Sequence, residues 1–182
     1  PIGDLCLKDL SCFTVTLLLI LSAERCQPLA SLTLGGVKLE GETVSLKIAG
    51  LLKTLRPGHH KSQLVLKAYP EDVKVCVMSF IREYINRTAT LREPNGGEGQ
   101  KLFVGVVPPH KPVGSSTIGR WTKITLSRAG VNTELFSAHS TRAAAASAAK
   151  AAIPVDQLLK SVGWASERTF AMFYDKPIEK SQ

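Results

Sequence analysis

The chain has 182 residues, a length that suits one domain or at most two small ones, and we expect a single domain over residues 1–182. Its 23 lysines and arginines outnumber its 15 aspartates and glutamates, and the formal net charge of +8 favours an anionic partner. Charge alone does not choose among nucleic acid, a membrane surface and an acidic protein. The longest apolar run, Phe13 to Leu21, is too short for a bilayer-spanning helix, which needs about 20 residues, and no secretory leader pattern precedes it.

The cysteines, histidines and glycines form no pattern typical of a metal or nucleotide site. The cysteines lack CxxC spacing and three lie in apolar surroundings, so reduced thiols in an intracellular protein are expected: Cys6, Cys12, Cys26 and Cys76. Three histidines lie in turns without a partner at ligand spacing, so zinc is not expected: His59, His60 and His110. The glycine-rich segment 93–100 lacks the lysine and the following helix of a phosphate-binding loop.

The first predicted element is a helix that begins near Asp9 or Ser11, both good capping residues, and ends at Pro28. This places Arg25 in its last turn, near the surface. Between residues 32 and 66, short β-prone runs alternate with glycine and proline, which predicts a small antiparallel sheet. Lys53 would lie on a connecting turn or at a strand end.

Pro70-Glu71-Asp72 predicts the start of a second helix, because proline and carboxylates suit a helix N-terminus. Apolar residues at spacings of three and four then continue to Ile85 and predict one buried face. Residues 102–107 suggest a short buried strand or an extended segment. A further helix is expected from Ser115 or Ser116, with Gly130 as its stop.

The last third of the chain is predicted to be helical. His139 and Arg142 open an alanine-rich helix that Pro154 ends. Another helix is expected over residues 156–162, and a final one carries Tyr174. The predicted fold is therefore mainly α with one small antiparallel β-sheet, an α+β class.

Six residues, taken as an ordered set, carry more information than any single element: Arg25, Lys53, His139, Arg142, Trp164 and Tyr174. Their surrounding segments include SAERCQPLASL, LLKTLRPG, AHSTRAAAASAAKAA and GWASERTFAMFY. In this order they resemble the catalytic domain of the tyrosine recombinases, the phage-integrase family, and most closely its DIRS-type eukaryotic retrotransposon branch. The resemblance runs from about Leu10 to Ile178, and it implies the same mainly helical fold.

The resemblance implies that Tyr174 attacks a scissile DNA phosphate, leaving a 3′-phosphotyrosyl enzyme and a free 5′-hydroxyl. Neither ATP nor a metal or other cofactor is implied, because the ester conserves the bond energy. Arg25 and Arg142 are expected at the phosphate rather than in the core, since a planar guanidinium can donate two hydrogen bonds to non-bridging oxygens.

The same resemblance assigns the proton transfers. Lys53 would protonate the 5′-oxygen leaving group, with Lys47 as a local alternative. His139 would be the general base, and Trp164 would pack in the site and donate its indole N–H to the phosphate. Taken singly, each residue also has a structural interpretation, such as a helix-end charge for Arg25 or a core aromatic for Trp164.

Two departures from the family pattern stand out. Many members carry an acidic residue three positions after the first arginine, whereas this chain has Pro28 there, so Gln27 or a backbone carbonyl is expected to orient Arg25 instead. The interval from Trp164 to Tyr174 is ten residues, one longer than in common phage enzymes.

No N-terminal DNA-clamp domain is recognisable, so we expect a fragment or a reduced descendant with weak DNA affinity. The resemblance implies double-stranded DNA as the partner, a tetramer on DNA when the protein is full length, and a nuclear location in DNA recombination or integration. Two alternatives remain: a catalytically silent DNA-binding module of the same fold, and a relaxing enzyme of the type IB topoisomerase kind.

Overall fold

The computed structural model describes residues 1–48, 63–92 and 99–150. This part of the chain is mainly helical with one antiparallel sheet, which confirms the predicted fold class. Within it, no helix combines the length and the apolar character needed to cross a bilayer.

One long helix organises the others. The helices in chain order are α1 (Leu7–Ser22), α2 (Cys26–Ser31), α3 (Val77–Thr88), α4 (Ser115–Arg128) and α5 (Ser140–Lys150). Helix α1 packs against α3, α4 and α5, and α4 also packs against α2. Since α1 contributes many of the fully buried side chains, the core of the described structure is built around it.

The hydroxyl side chains of α1 can be buried because each forms a hydrogen bond within the helix. Each donates a hydrogen bond to the carbonyl four residues earlier, at 2.5 to 2.7 Å: Ser11, Thr14, Thr16 and Ser22. The helix begins at Leu7, with Sγ of Cys6 accepting from the N–H of Asp9, so the predicted cap at Asp9 or Ser11 is wrong. The hydroxyl of Ser11 bonds backward to Leu7 instead.

The predicted small sheet is present. It consists of β1 (Val37–Glu40), β2 (Thr43–Lys47) and β3 (Gln63–Lys67), paired antiparallel in that order. A tight turn at Gly41, with φ of +54°, joins the first two strands. Alternate residues of β2 and β3 enter the core: Val44, Leu46 and Leu64.

Helix α3 starts later than the sequence pattern predicts, at Val77 rather than near Pro70. Oδ1 of Asp72 accepts a hydrogen bond from the N–H of Lys74 at 2.9 Å and stabilises a short 3-10 turn over Val73–Val75. Cys76 is extended and interrupts the helical backbone before α3 begins. The side chain of Asp72, which was expected to cap the start of the helix, therefore stabilises this 3-10 turn instead.

Residues 102–107 are extended and buried only at their beginning. Leu102, Phe103 and Val104 are buried, whereas Val107 is 70 % exposed. The hydroxyl of Tyr84 accepts from the N–H of Val104 at 3.0 Å. Isolated bridges rather than a continuous strand hold these residues. Of the two predicted forms, a buried strand or an extended segment, they therefore adopt the extended segment. Helix α4 then begins at Ser115, as predicted.

Candidate active site

Arg25 lies just beyond a sharp change of direction rather than in the last turn of a long helix. Helix α1 ends at Ser22, and Ala23 adopts a left-handed backbone with φ of 51°. Glu24 then points into the protein and Arg25 is exposed. Arg25 is the residue that precedes the short helix α2, so the predicted single helix ending at Pro28 is wrong.

Pro28 occupies the first turn of α2, where its ring is compatible with a helix because first-turn N–H groups lack intrahelical partners. It is buried and supplies no charge. Across residues 1–48, 63–92 and 99–150, no hydrogen bond joins Arg25 to Gln27 or to a backbone carbonyl.

His139 and Arg142 lie at the start of α5, as predicted. The turn before the helix is held by two serines: Oγ of Ser137 accepts from the N–H of His139 at 3.2 Å, and Oγ of Ser140 accepts from the N–H of Ser137 at 3.1 Å. His139 is exposed just before the helix. Arg142 follows within the first turn, and its backbone N–H bonds to the carbonyl of His139 at 3.2 Å.

The side chain of Arg142 is buried, unlike that of Arg25. Its Nη1 lies 3.9 Å from Oε2 of Glu24, and the two side chains are 3 % and 9 % exposed. Arg25 is thus exposed and Arg142 is buried beside Glu24, and the contact of both with a phosphate stays a prediction. Because Glu24 is adjacent to Arg25 in the chain, this ion pair brings the two arginine-bearing segments together.

Sequence reasoning missed Glu24. The available signal was its position directly before the candidate arginine, at the end of the longest apolar run. An acid in such surroundings is buried only when it has a charged or hydrogen-bonding partner. The partner is 118 positions away in the sequence, however, and only the packing of α5 against α1 brings it near.

Next to Arg25, Cys26 is partly buried, and burial raises the pKa of its thiol. A protonated thiol is a poor nucleophile, so Cys26 does not compete for that role. Among the described residues, no three histidine, cysteine, aspartate or glutamate side chains group closely enough to hold a metal ion. The predicted Lys53, Trp164 and Tyr174 lie outside the described residues.

No model of a known protein family and no curated protein sequence matches the chain by sequence. Solved structures do match. XerA recombinase superposes with a TM-score of 0.67 at 16 % identity, over 94 % of this chain and 54 % of that one. A pre-cleavage complex of XerH site-specific recombinase with its difH substrate gives 0.65 at 16 % identity, over 91 % of this chain and 47 % of that one.

A lambda integrase dimer bound to a COC′ core site also matches, with a TM-score of 0.53 at 16 % identity, over 99 % of this chain and 46 % of the other. The chain thus spans about half the length of the recombinases that it matches. At this level of identity the likeness establishes the fold. The protein therefore has the fold of the tyrosine-recombinase catalytic domain.

Proposed function

We propose that this chain is the catalytic part of a DNA strand-exchange enzyme that cleaves and rejoins DNA through a 3′-phosphotyrosyl intermediate. The observation that carries the proposal is the meeting of the Arg25 and Arg142 segments through Glu24, with His139 one turn before Arg142. Two guanidiniums and an imidazole are groups that suit a phosphate whose charge rises in the transition state.

The chemistry follows from the nucleophile. A tyrosine phenol has a pKa of about 10, so Tyr174 needs nearby positive charge and a base to attack at neutral pH. Arg25 and Arg142 supply the charge and His139 takes the proton. Lys53 protonates the departing 5′-oxygen, and Trp164 donates its indole N–H to the phosphate.

Helix α4 supports a DNA partner independently of the catalytic residues. Ser116, Arg120 and Lys123 are exposed and recur at spacings of four and three, so they share one face of the helix. A face of this kind offers a hydroxyl and two cations to successive phosphates. Helix α4 also packs against α2, which follows Arg25 directly.

The biological setting is part of the same proposal. The resemblance of the sequence to DIRS-type elements supports recombination or integration of a mobile element, in the nucleus, by a tetramer of the full-length protein on DNA.

Covalent trapping tests the enzyme. A nicked duplex that loses its short downstream strand on cleavage should become joined to the protein through its 3′ phosphate, without ATP and in the presence of EDTA. Tyr174→Phe removes the attacking oxygen and should bind DNA without forming an adduct. Phe173→Tyr in that variant is a matched control, because it restores a phenol at the neighbouring position.

The outcomes separate the candidate functions. A wild-type adduct that is absent in Tyr174→Phe supports the proposal. An adduct that persists in Tyr174→Phe overturns the choice of nucleophile. Wild-type DNA binding with no adduct on any cleavable duplex favours the silent DNA-binding module, and relaxation of supercoiled DNA by the monomer favours the topoisomerase alternative.

A further inference from the structure

Glu24 lies where the segments that carry Arg25 and Arg142 meet. The left-handed residue Ala23 ends α1 and turns the chain, and Oγ of Ser22 accepts from the N–H of Glu24 at 3.2 Å. The backbone of Glu24 is thereby held at the point where α1 meets α5. Its carboxylate lies against Arg142 while the next side chain, Arg25, is exposed.

We propose that Glu24 is a positioning residue that holds the guanidinium of Arg142 in the orientation required by the scissile phosphate. The inference rests on the proposed function, and it concerns a residue that acts through Arg142 rather than on DNA. Pro28 has no charge and cannot orient an arginine. Glu24 would orient one instead, and that arginine is Arg142 rather than Arg25.

The burial of both partners is the observation that supports a positioning role. At 3.9 Å, Oε2 of Glu24 and Nη1 of Arg142 form an ion pair that is too long for a hydrogen bond. A guanidinium has five N–H donors on a planar fork, so it can bind more than one partner at a time. Both side chains are buried, so their electrostatic attraction is weakly screened and restricts where the guanidinium of Arg142 can lie.

The same turn constrains both arginines. Glu24 points inward and Arg25 is exposed, so any displacement of this turn moves the partner of Arg142 and the backbone of Arg25 together. Catalytic groups must be held within fractions of an ångström of their productive geometry, which a buried ion pair anchored at the end of a helix can provide.

The test compares Glu24→Gln with wild type on two nicked duplexes in single-turnover cleavage at saturating DNA. One duplex has an ordinary scissile phosphodiester, and the other has a neutral methylphosphonate in which a methyl group replaces one non-bridging oxygen. Glu83→Gln is the matched control, since Glu83 pairs with Arg87 at 2.6 Å within α3. That variant should cleave both duplexes like wild type.

We expect Glu24→Gln to slow cleavage of the ordinary duplex by about a hundredfold, the effect of losing one transition-state donor. On the methylphosphonate the loss should be within about threefold, because its transition state carries one negative charge fewer for Arg142 to stabilise. The dissociation constant for DNA should change little. Equal losses on both duplexes would indicate general damage to the fold and overturn the proposal.

Glu24→Asp provides the second variant if Glu24→Gln does not fold. It keeps the charge but shortens the reach by one methylene group, so it should show the same selective defect to a smaller extent. A nuclear magnetic resonance measurement on the full 182-residue chain is independent of cleavage. The Nε–H resonance of Arg142, assigned with Arg142→Lys, should shift in both Glu24 variants and not in Glu83→Gln.

The two proposals fail differently. If wild type forms no adduct, the proposed function falls, and the resonance of Arg142 still decides whether Glu24 positions it. If wild type cleaves but neither the resonance nor the cleavage rate responds to the Glu24 substitutions, the positioning role is wrong. The proposed function as a DNA strand-exchange enzyme is then unaffected.

Discussion

Gly119 of α4 lies directly against Cys26 of α2: a methyl group added at Gly119 would be 3.8 Å from Sγ of Cys26 and 4.0 Å from Cβ of Ala138. Both are ordinary van der Waals distances, so an alanine fits. Glycine inside a helix is less favourable than alanine by about 1 kcal/mol. We expect Gly119→Ala to increase the free energy of unfolding by about 0.5 to 1 kcal/mol, measured by urea denaturation.

Gly119→Leu should have the opposite effect, because a branched side chain is too large for the space between α4 and Cys26. We expect it to lower the free energy of unfolding by about 1 to 3 kcal/mol, as overpacking does. An alanine variant that is less stable than wild type would show that α2 and α4 are closer than the structure has them.

The two candidate arginines should differ in their effect on stability. Arg25 is exposed, so Arg25→Ala should change the free energy of unfolding by less than about 0.5 kcal/mol. Arg142→Ala leaves the buried carboxylate of Glu24 without this partner, so it should lower the free energy of unfolding by about 3 kcal/mol. Chemical denaturation of both variants checks the difference.

A double-mutant cycle isolates the contact between Glu24 and Arg142. Glu24→Gln, Arg142→Met and the double variant should give a coupling energy of about 1 kcal/mol or more, because the two residues are in contact and buried. Additive effects would mean that the ion pair does not contribute to stability.

An ion pair between helix ends predicts a dependence of stability on pH. Nη1 of Arg128 donates to Oδ1 of Asp9 at 2.6 Å, and this hydrogen bond lowers the pKa of Asp9 from its ordinary value of 3.8. A carboxyl whose pKa is lower in the folded protein stabilises it above that ordinary value, and the contribution disappears as pH falls through the folded pKa.

The melting temperature of Asp9→Asn should therefore be below that of wild type at neutral pH, and the difference should shrink progressively as pH falls below 3.8. The difference should also be smaller at high salt, since both side chains are partly exposed. Glu71→Gln, at an exposed position, is the control. A difference that grows on acidification would contradict the assignment.

The hydroxyl of Tyr84 should contribute to stability through its hydrogen bonds with the backbone of Val104. It accepts from the buried N–H of Val104 at 3.0 Å, so Tyr84→Phe leaves that donor without its partner. We expect a loss of about 1 to 3 kcal/mol in the free energy of unfolding. Tyr69 is 51 % exposed, so Tyr69→Phe should have almost no effect. Equal losses in both variants would contradict this account.

The exposed face of α4 should set part of the salt dependence of DNA binding. If Arg120 and Lys123 each contact a phosphate, replacing both by glutamine should reduce the slope of log K against log salt by roughly 2, at about 0.9 per contact. Fluorescence anisotropy at several salt concentrations measures it. The control replaces Lys74, in the turn before α3, and Arg82, in α3, and so removes the same charge elsewhere. Its slope should stay near that of wild type.

The sequence by itself determined the type of most elements in the described structure and the order of the candidate site residues. The β-prone runs around Val44 and Leu64 formed the sheet, and the segment from Ser140 formed a helix directly after His139. These features depend on local patterns, which are the spacing of apolar residues, capping groups and turn glycines. Such patterns act over a few residues and can be recognised without knowing the fold.

Tertiary structure alone decided where α1 ends and which arginine is buried. Nothing local marks Ala23 as left-handed, and the inward turn of Glu24 is stabilised by Arg142, which is far away in the sequence. Similarly, the capping group at Asp72 served a 3-10 turn because packing placed the start of α3 at Val77. A buried charge is stable only beside its partner, and the partner is chosen by how whole helices pack rather than by the residues around it.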